Sequence, residues 1–131
     1  PATLQIVDVT TGEARTVAED IGRSPQAVPG RRAVSFTRPT AEGVAVEVYD
    51  VDTDRTTQAA LLPTGAEYHA WTPDGVLLTG SYGRIAAWSG GNWVDLADLT
   101  VLNQRFSRLA VSPDGAWLAA VGEPTGSGTG G

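Results

Sequence analysis

An internal repeat of 40 to 45 residues constrains the fold of this chain more than any other feature of its sequence. Residues 71–78 (WTPDGVLL) match residues 111–118 (VSPDGAWL), so that Gly75 and Gly115 are 40 residues apart. A weaker copy at 27–36 lacks one residue in its turn, and its glycine precedes Gly75 by 45 residues. Repeats of this length are typical of β-propeller blades, since each blade is one supersecondary unit packed against its neighbours.

A second motif repeats out of phase with the first. Residues 6–13 match residues 48–55, with Asp8 and Asp50 42 residues apart, and residues 84–91 form a looser third copy. Each repeat therefore contains two hairpin signals, which is what a four-stranded antiparallel blade requires.

The central repeat is predicted to contain four short strands, named a to d in chain order: residues 67–72, 76–81, 84–88 and 93–96. Between the first two, Pro73 presets φ, Asp74 bonds back to the backbone and Gly75 takes the positive φ that closes the hairpin. The chain has 16 glycines and 8 prolines, which favours many short elements over a few long helices. The predicted fold class is all-β.

One segment also fits a helix. Leu96, Leu99 and Leu102 are spaced by three residues, and neither Pro nor Gly interrupts residues 93–109. The strand interpretation is preferred because the other two repeats have strands in the corresponding place.

The repeat resembles a known family. Residues 111–119 (VSPDGAWLA) resemble the Ser-Pro-Asp-Gly core of the TolB-like, WD40-like propeller repeat of the PD40 type, and residues 5–12 (QIVDVTTG) resemble its second half. The resemblance covers essentially the whole chain as three copies, although the Trp-Asp and Gly-His signatures of typical WD40 proteins are absent. It implies a propeller of four-stranded antiparallel blades with strand a lining the channel. It implies no single function, because such propellers serve as binding platforms, periplasmic adaptors and accessory domains of peptidases.

The phase of the repeats divides one blade between the two ends of a single propeller unit. The predicted parts are strands c and d of a shared blade (3–18), two complete blades (24–62 and 65–99), strands a and b of a shared blade (105–122) and a glycine-rich linker (123–131). Propellers have roughly four to eight blades. Two copies of this three-blade chain would give six, so we expect a homodimer that closes one six-bladed ring.

Composition excludes several partners and cofactors. The net charge is −6, all nine basic residues are arginine, and no basic run exceeds Arg31-Arg32, so we expect neither nucleic-acid nor anionic-membrane binding. No apolar run of 18 residues exists, and residues 1–5 show no signal-peptide pattern. The chain is expected to be cytoplasmic, already processed, or cut from a longer protein, and the sequence does not decide between periplasm and cytoplasm. With no cysteine, disulfides and thiolate sites are excluded, and no cofactor is predicted.

Catalysis would depend on His69, the only histidine. Ser81 lies in a Thr-Gly-Ser-Tyr-Gly segment, but a nucleophile elbow needs glycine where Thr79 stands. His69 is therefore expected to be a channel-lining or packed side chain, and we predict no catalytic residue.

No metal site is predicted either. The alternating acids of residues 50–54 imitate the start of a calcium loop, but Arg55 occupies the glycine position and Leu61 the position of the final glutamate. The glycine-rich residues 126–131 have no lysine and precede no helix, so they are interpreted as a linker and not as a phosphate loop.

Four residues are predicted to line the channel: Tyr68, His69, Arg84 and Arg108. Arg84 and Arg108 could bind an anion there, but pairing with Glu67 and other acids is preferred. Four tryptophans are assigned mainly to blade packing, with some aromatic exposure at the channel mouth suited to ligand binding: Trp71, Trp88, Trp93 and Trp117.

The sequence favours a non-enzymatic propeller scaffold or binding module that self-assembles into a ring, whether natural, excised or engineered as a half-propeller. The alternative is an accessory or catalytic propeller fragment of a hydrolase or lyase with a site at the channel mouth. One histidine, no lysine and no cysteine leave few groups for catalysis, which favours the first hypothesis.

Overall fold

The computed structural model describes residues 2–22 and 24–125, and within them the chain forms four antiparallel sheets. Two sheets have four strands each, in the order in which they occur along the chain. The first comprises β3 (Gln26–Ala27), β4 (Ala33–Thr40), β5 (Gly43–Asp50) and β6 (Arg55–Leu61). The second comprises β7 (His69–Trp71), β8 (Leu77–Gly80), β9 (Arg84–Ser89) and β10 (Asn92–Asp98).

The other two sheets have only two strands each. They pair β1 (Ala2–Val7) with β2 (Ala14–Ile21), and β11 (Gln104–Val111) with β12 (Leu118–Pro124). The predicted linker of residues 123–131 begins too early, because residues 123 and 124 belong to β12 and pair with β11. Its glycine-rich part, residues 126–131, lies outside the described residues.

Each of the two-stranded sheets, called half-sheets below, corresponds to two of the four strands of a blade. The turns identify which two. Gly75 and Gly115 have φ of +91° and +76°, and each N–H donates to the carbonyl three residues earlier at 2.9 Å. Their equivalence, predicted from the shared Pro-Asp-Gly, is confirmed. The β11–β12 turn is thus an a–b turn like the β7–β8 turn, and β11 and β12 occupy the positions of strands a and b.

The β1–β2 turn matches the turn between β5 and β6. Asp8 Oδ1 accepts hydrogen bonds from the backbone N–H groups two and three residues later, and Asp50 Oδ1 does the same in its own turn. These bonds stabilise the ionised carboxylates: the Thr10 hydroxyl contributes most to lowering the pKa of Asp8, and the Thr53 N–H to lowering that of Asp50. β1 and β2 therefore occupy the positions of strands c and d, and the calcium-like run of residues 50–54 is an ordinary hairpin turn.

The segment that also fitted a helix is strand, turn and strand. β10 ends at Asp98, a 3₁₀ turn spans Thr100–Leu102, and β11 begins at Gln104. Asn103, with φ of +52°, ends the turn in the left-handed conformation that asparagine tolerates. The strand interpretation is confirmed, and the leucine spacing produces only one 3₁₀ turn.

The hydrophobic core lies between successive sheets. One cluster joins β1–β2 to the first complete sheet through Leu4 and Phe36. A second joins the two complete sheets through Val46 and Leu77, and a third joins the second complete sheet to β11 through Ile85 and Phe106. This face-to-face stacking of sheets is the packing expected of propeller blades.

Hydrogen bonds also cross each of the three junctions between sheets. The donor and acceptor pairs are Gly22 N–H to Thr37 C=O (2.7 Å), Trp71 Nε1–H to Ser35 Oγ (2.8 Å), and Phe106 N–H to Ser81 C=O (3.0 Å). A further bond joins the two complete sheets, from Trp93 Nε1–H to the Leu61 carbonyl at 2.7 Å. Each sheet is therefore fixed to the next by directional contacts as well as by apolar packing.

The tryptophans divide into two groups. Trp71, Trp88 and Trp93 pack against the core between the complete sheets, as predicted, and the Trp88 and Trp93 rings meet edge to face at 5.1 Å. The packing assignment of Trp117 is wrong for the single chain, because this side chain is 77% exposed. Trp117 precedes β12, beside the edge where the sheet has no third strand.

Candidate binding surface

β3, β7 and β11 occupy the position of strand a in their sheets, and β7 contacts both β3 and β11. The surface along these three strands is called the inner surface below. Three of the four residues predicted to line the channel belong to this region: Tyr68 precedes β7, His69 begins it, and Arg108 lies in β11. Arg84 begins β9, the third strand of its sheet. That these side chains line a closed channel stays a prediction.

His69 lies in a buried network between the two complete sheets. Its Nε2 is 2.7 Å from Ser35 Oγ, and the same hydroxyl oxygen accepts a hydrogen bond from Trp71 Nε1–H. Because the indole can only donate, the hydroxyl hydrogen of Ser35 can bond either to the imidazole nitrogen or to the Gln26 carbonyl, which is 3.5 Å from the Ser35 oxygen. A bond from the hydroxyl to the imidazole nitrogen requires a neutral ring. Burial lowers the pKa of His69 from 6.5 to about 4, which agrees with a neutral ring.

This network does not form an accessible catalytic pair. Ser35 is fully buried and His69 is 2% exposed, so no substrate reaches the hydroxyl without separating the sheets. Ser81, the serine considered from the sequence, contributes its backbone carbonyl to the next junction and makes no described bond to His69. The His69 network is structural: it joins one blade to the next.

Arg108 lies over the ring of Tyr68, with the guanidinium carbon 5.4 Å from the ring centroid. It has φ of +49° and lies at an irregularity in the β11–β12 pairing between Ser107 and Ala110. The side chain is exposed, and no carboxylate of the described residues is within 4.0 Å of it. A left-handed arginine in a strand costs about 1–3 kcal/mol, so the surrounding structure must impose this conformation.

The acid predicted to pair with Arg84 or Arg108 is used by a different arginine. Arg105 Nη2 is 2.5 Å from Glu67 Oε2, and its guanidinium lies over the ring of Tyr82. Sequence reasoning did not select Arg105, since only the contact between adjacent sheets brings it to Glu67.

Arg84 is not part of the inner surface. Its Nη1 is 2.6 Å from Asp95 and its Nη2 is 3.6 Å from Asp98, both in β10 at the outer edge of the sheet. The preference for pairing with acids is confirmed for Arg84, but with these acids instead of Glu67.

Two cavities lie between the β1–β2 pair and the first complete sheet. The first, of about 860 Å³, is lined at one end of the strands by apolar, basic and acidic side chains that include Ile6, Arg31 and Asp8. The second, of about 540 Å³, is lined by residues that include Ile21 and Tyr68. Both volumes fall in the range of ligand sites, but the cavities lie beside a sheet of only two strands.

Two kinds of feature do not occur in the part of the chain that the structure describes. No cluster of three or more histidine or acidic side chains is arranged there to bind a metal ion. Over the same part of the chain, no helix has the length and apolar character needed to cross a membrane.

Comparison with known proteins gives a structural match without a sequence match. No protein-family model and no curated protein matches the chain. The crystal structure of TolB from Acinetobacter baumannii superposes with a TM-score of 0.69 over 95% of this chain, at 21% identity. The chain has a TolB-like β-propeller fold. It covers 33% of that TolB chain.

The TolB-like assignment agrees with the expectation drawn from the Pro-Asp-Gly repeats. A fold of this kind hosts many functions, so it specifies neither a role nor a ligand. The features that could bind a ligand on the described chain are the inner surface around Tyr68 and Arg108 and the two cavities beside β1–β2.

Proposed function

We propose that this chain is a non-enzymatic propeller scaffold that closes into a six-bladed ring with a second copy of itself and binds a partner at the inner surface. The observation that carries the proposal is the complementarity of the two half-sheets. β11–β12 supplies strands a and b, and β1–β2 supplies strands c and d, so that two copies contain the parts of two further complete blades.

The edges and surfaces of the half-sheets support association. β12 and β1 each present an edge that pairs with no other strand among the described residues. Unpaired strand edges readily bind another strand, and proteins usually cover them. Large apolar side chains near these edges are exposed as well, namely Val7, Val9, Trp117 and Val121. Exposed apolar groups beside a free edge favour an interface.

Two copies related by a two-fold axis along the channel would close the assembly. The contact is head to tail, yet it is satisfied after two subunits, so it does not lead to growth into fibres. Three copies would give nine blades, outside the usual range of four to eight.

A non-enzymatic role is supported by the chemistry of the inner region. The only histidine is buried and neutral, and the serine beside it is inaccessible. Arg108, exposed over Tyr68, provides a cation for an anionic group of a partner, and a ring of two copies would present it twice.

The proposal is tested by native mass spectrometry and light scattering of the 131-residue chain across micromolar concentrations. We expect a species of twice 13.6 kDa that dissociates only on dilution or unfolding. A stable 13.6 kDa species with a full β-sheet circular dichroism signal at all concentrations contradicts the ring. The missing strands would then belong to a different polypeptide or to another part of a longer one.

A further inference from the structure

The exposed Trp117 and the larger cavity are unexplained in a single chain. Trp117 is 77% exposed and Val9 is 94% exposed, although both are in or beside sheets. The cavity of about 860 Å³ has Val9 in its lining and lies on the half-sheet that lacks strands a and b. An indole is among the side chains whose burial contributes most to an interface, so its exposure requires an explanation.

The complete sheets provide a template for joining the half-sheets. In the first, Ser35 of β4 stands opposite Val48 of β5, and in the second, Leu78 of β8 stands opposite Ala87 of β9. These pairs define the register between strands b and c in this propeller.

The turn hydrogen bonds transfer this register to the half-sheets. The carbonyls that close the a–b turns belong to Ala33 and Trp117, so Ala119 corresponds to Ser35, two residues later in each strand. The c–d turns begin at equivalent aspartates, Asp8 and Asp50, so the residue two before Asp8, Ile6, corresponds to Val48. Ala119 of one copy therefore stands opposite the partner's Ile6.

We propose that Trp117 of one copy inserts into the 860 Å³ cavity of the other, with β12 paired antiparallel to the partner's β1 in this register. The inference rests on the proposed ring. In the first sheet the residue equivalent to Trp117 is Ala33, which is buried and packs toward Trp71 of the following sheet. The Trp117 side chain points in the corresponding direction, toward the partner's first complete sheet, which forms the opposite wall of the cavity.

The half-sheets, and not charge, select a second copy as the occupant. Arginines and acids both line the cavity, namely Arg15, Arg31, Arg32, Asp8 and Glu13. Two of these arginines already pair with aspartates, Arg31 with Asp50 and Arg32 with Asp52. The strands that complete the two-stranded sheet beside the cavity are those that β11 and β12 of a second copy supply.

The first test measures dimer affinity by dilution for Trp117→Ala and for a control, Leu96→Ala. Leu96 is also exposed, but it lies on β10 at the outer edge of a complete sheet. We expect Trp117→Ala to raise the dissociation constant by about thirtyfold or more, as for an interface hot spot, and Leu96→Ala to change it less than about threefold.

The second test uses the absence of cysteine in the chain to probe the register. In the first complete sheet Val51 N–H donates to the Arg32 carbonyl, so these two residues form a hydrogen-bonded pair. Hydrogen-bonded and non-hydrogen-bonded pairs alternate along antiparallel strands, so Ser35 and Val48 form a non-hydrogen-bonded pair. The equivalent pair, Ala119 and the partner's Ile6, is of the same kind. Their Cα atoms lie about 4.5 Å apart, within the range for a disulfide. Ala119→Cys and Ile6→Cys chains refolded together should form a disulfide-linked dimer. Ala119→Cys with Val7→Cys, a slip of one residue, should not, because Val7 faces the other side of the sheet.

The outcomes separate this inference from the proposed ring. A dimer that keeps its affinity in Trp117→Ala, or that cross-links only in the slipped pair, overturns the inference and leaves the ring in place. A wild-type chain that never dimerises overturns the proposed function and this inference together.

Discussion

Acidification should destabilise this protein through one side chain. The folded-state pKa of His69 is lowered to about 4, against 6.5 when it is exposed. Between these values the unfolded chain binds a proton that the folded chain excludes. The stabilising effect of burying neutral His69 is therefore complete above pH 6.5 and is lost as the pH falls toward 4. At about 1.4 kcal/mol per pH unit, the free energy of unfolding should decrease by about 3 kcal/mol over this range.

The measurement is urea unfolding at fixed protein concentration from pH 7.5 to pH 4.5, compared with His69→Gln. Glutamine keeps a hydrogen-bond acceptor for Ser35 but does not titrate. The variant should be less stable at pH 7.5, yet its stability should fall much less on acidification. The chain has a single histidine, so an NMR titration of the imidazole gives its pKa directly.

Carboxylates with lowered pKa, Asp8 and Asp98 among them, lose their contribution to stability below about pH 4. The wild type and His69→Gln both contain these carboxylates. The difference between the proteins therefore isolates the histidine. Equal pH dependence in wild type and variant, or an imidazole pKa near 6.5, would refute the buried neutral network.

Five further substitutions, in three comparisons, test local features by thermal or urea unfolding. Gly83→Ala should lower the free energy of unfolding by at least about 1 kcal/mol more than Gly12→Ala. Both glycines have positive φ, but a Cβ at Gly83 would lie 2.7 Å from the backbone of the 3₁₀ turn, whereas a Cβ at Gly12 would meet no atom within 4 Å. Gly75→Val and Gly115→Val should each cost about 1–3 kcal/mol through strain, and unchanged stability in both would contradict the turn assignment. Trp93→Phe should cost about 1–3 kcal/mol because it leaves a carbonyl at the sheet junction without its donor; a loss below about 0.3 kcal/mol would argue against that bond.

Local chemistry made the fold predictable from the sequence. The Pro-Asp-Gly turns and the aspartates that open the c–d turns act within a few residues, so their structure follows from those residues alone. Once two kinds of hairpin alternate at a fixed spacing, the order of strands in each sheet is determined.

The inner surface was less predictable because it depends on contacts between blades. Ser35 reaches His69 across 34 residues of chain, and Arg105 reaches Glu67 across 38. Neither pair has a local signal. The irregularity at Arg108 also has no clear signal in the sequence, because a bulge changes which side chains face inward without altering the hydrophobic pattern enough to be recognised.

The packing prediction for Trp117 was wrong for a different reason. Its sequence context matches that of a buried blade residue, and the prediction assumed that strand c was present beside it. In the single chain that strand is absent, so the pattern describes an environment that the chain alone does not provide.

The hydrogen bonds that cross the three sheet junctions have a consequence for curvature. Apolar faces alone would let two stacked sheets rotate against each other, whereas a directional bond restricts the angle between them. In a closed ring the junction angles must add up to one full turn, and in a ring of two copies every angular error in one chain occurs twice. A substitution that alters one of these bonds can therefore leave each blade folded and still prevent the last strand from meeting its partner. Defects of this kind would appear as open or misassembled rings of well-folded chains, and a melting curve of the individual blades would not reveal them.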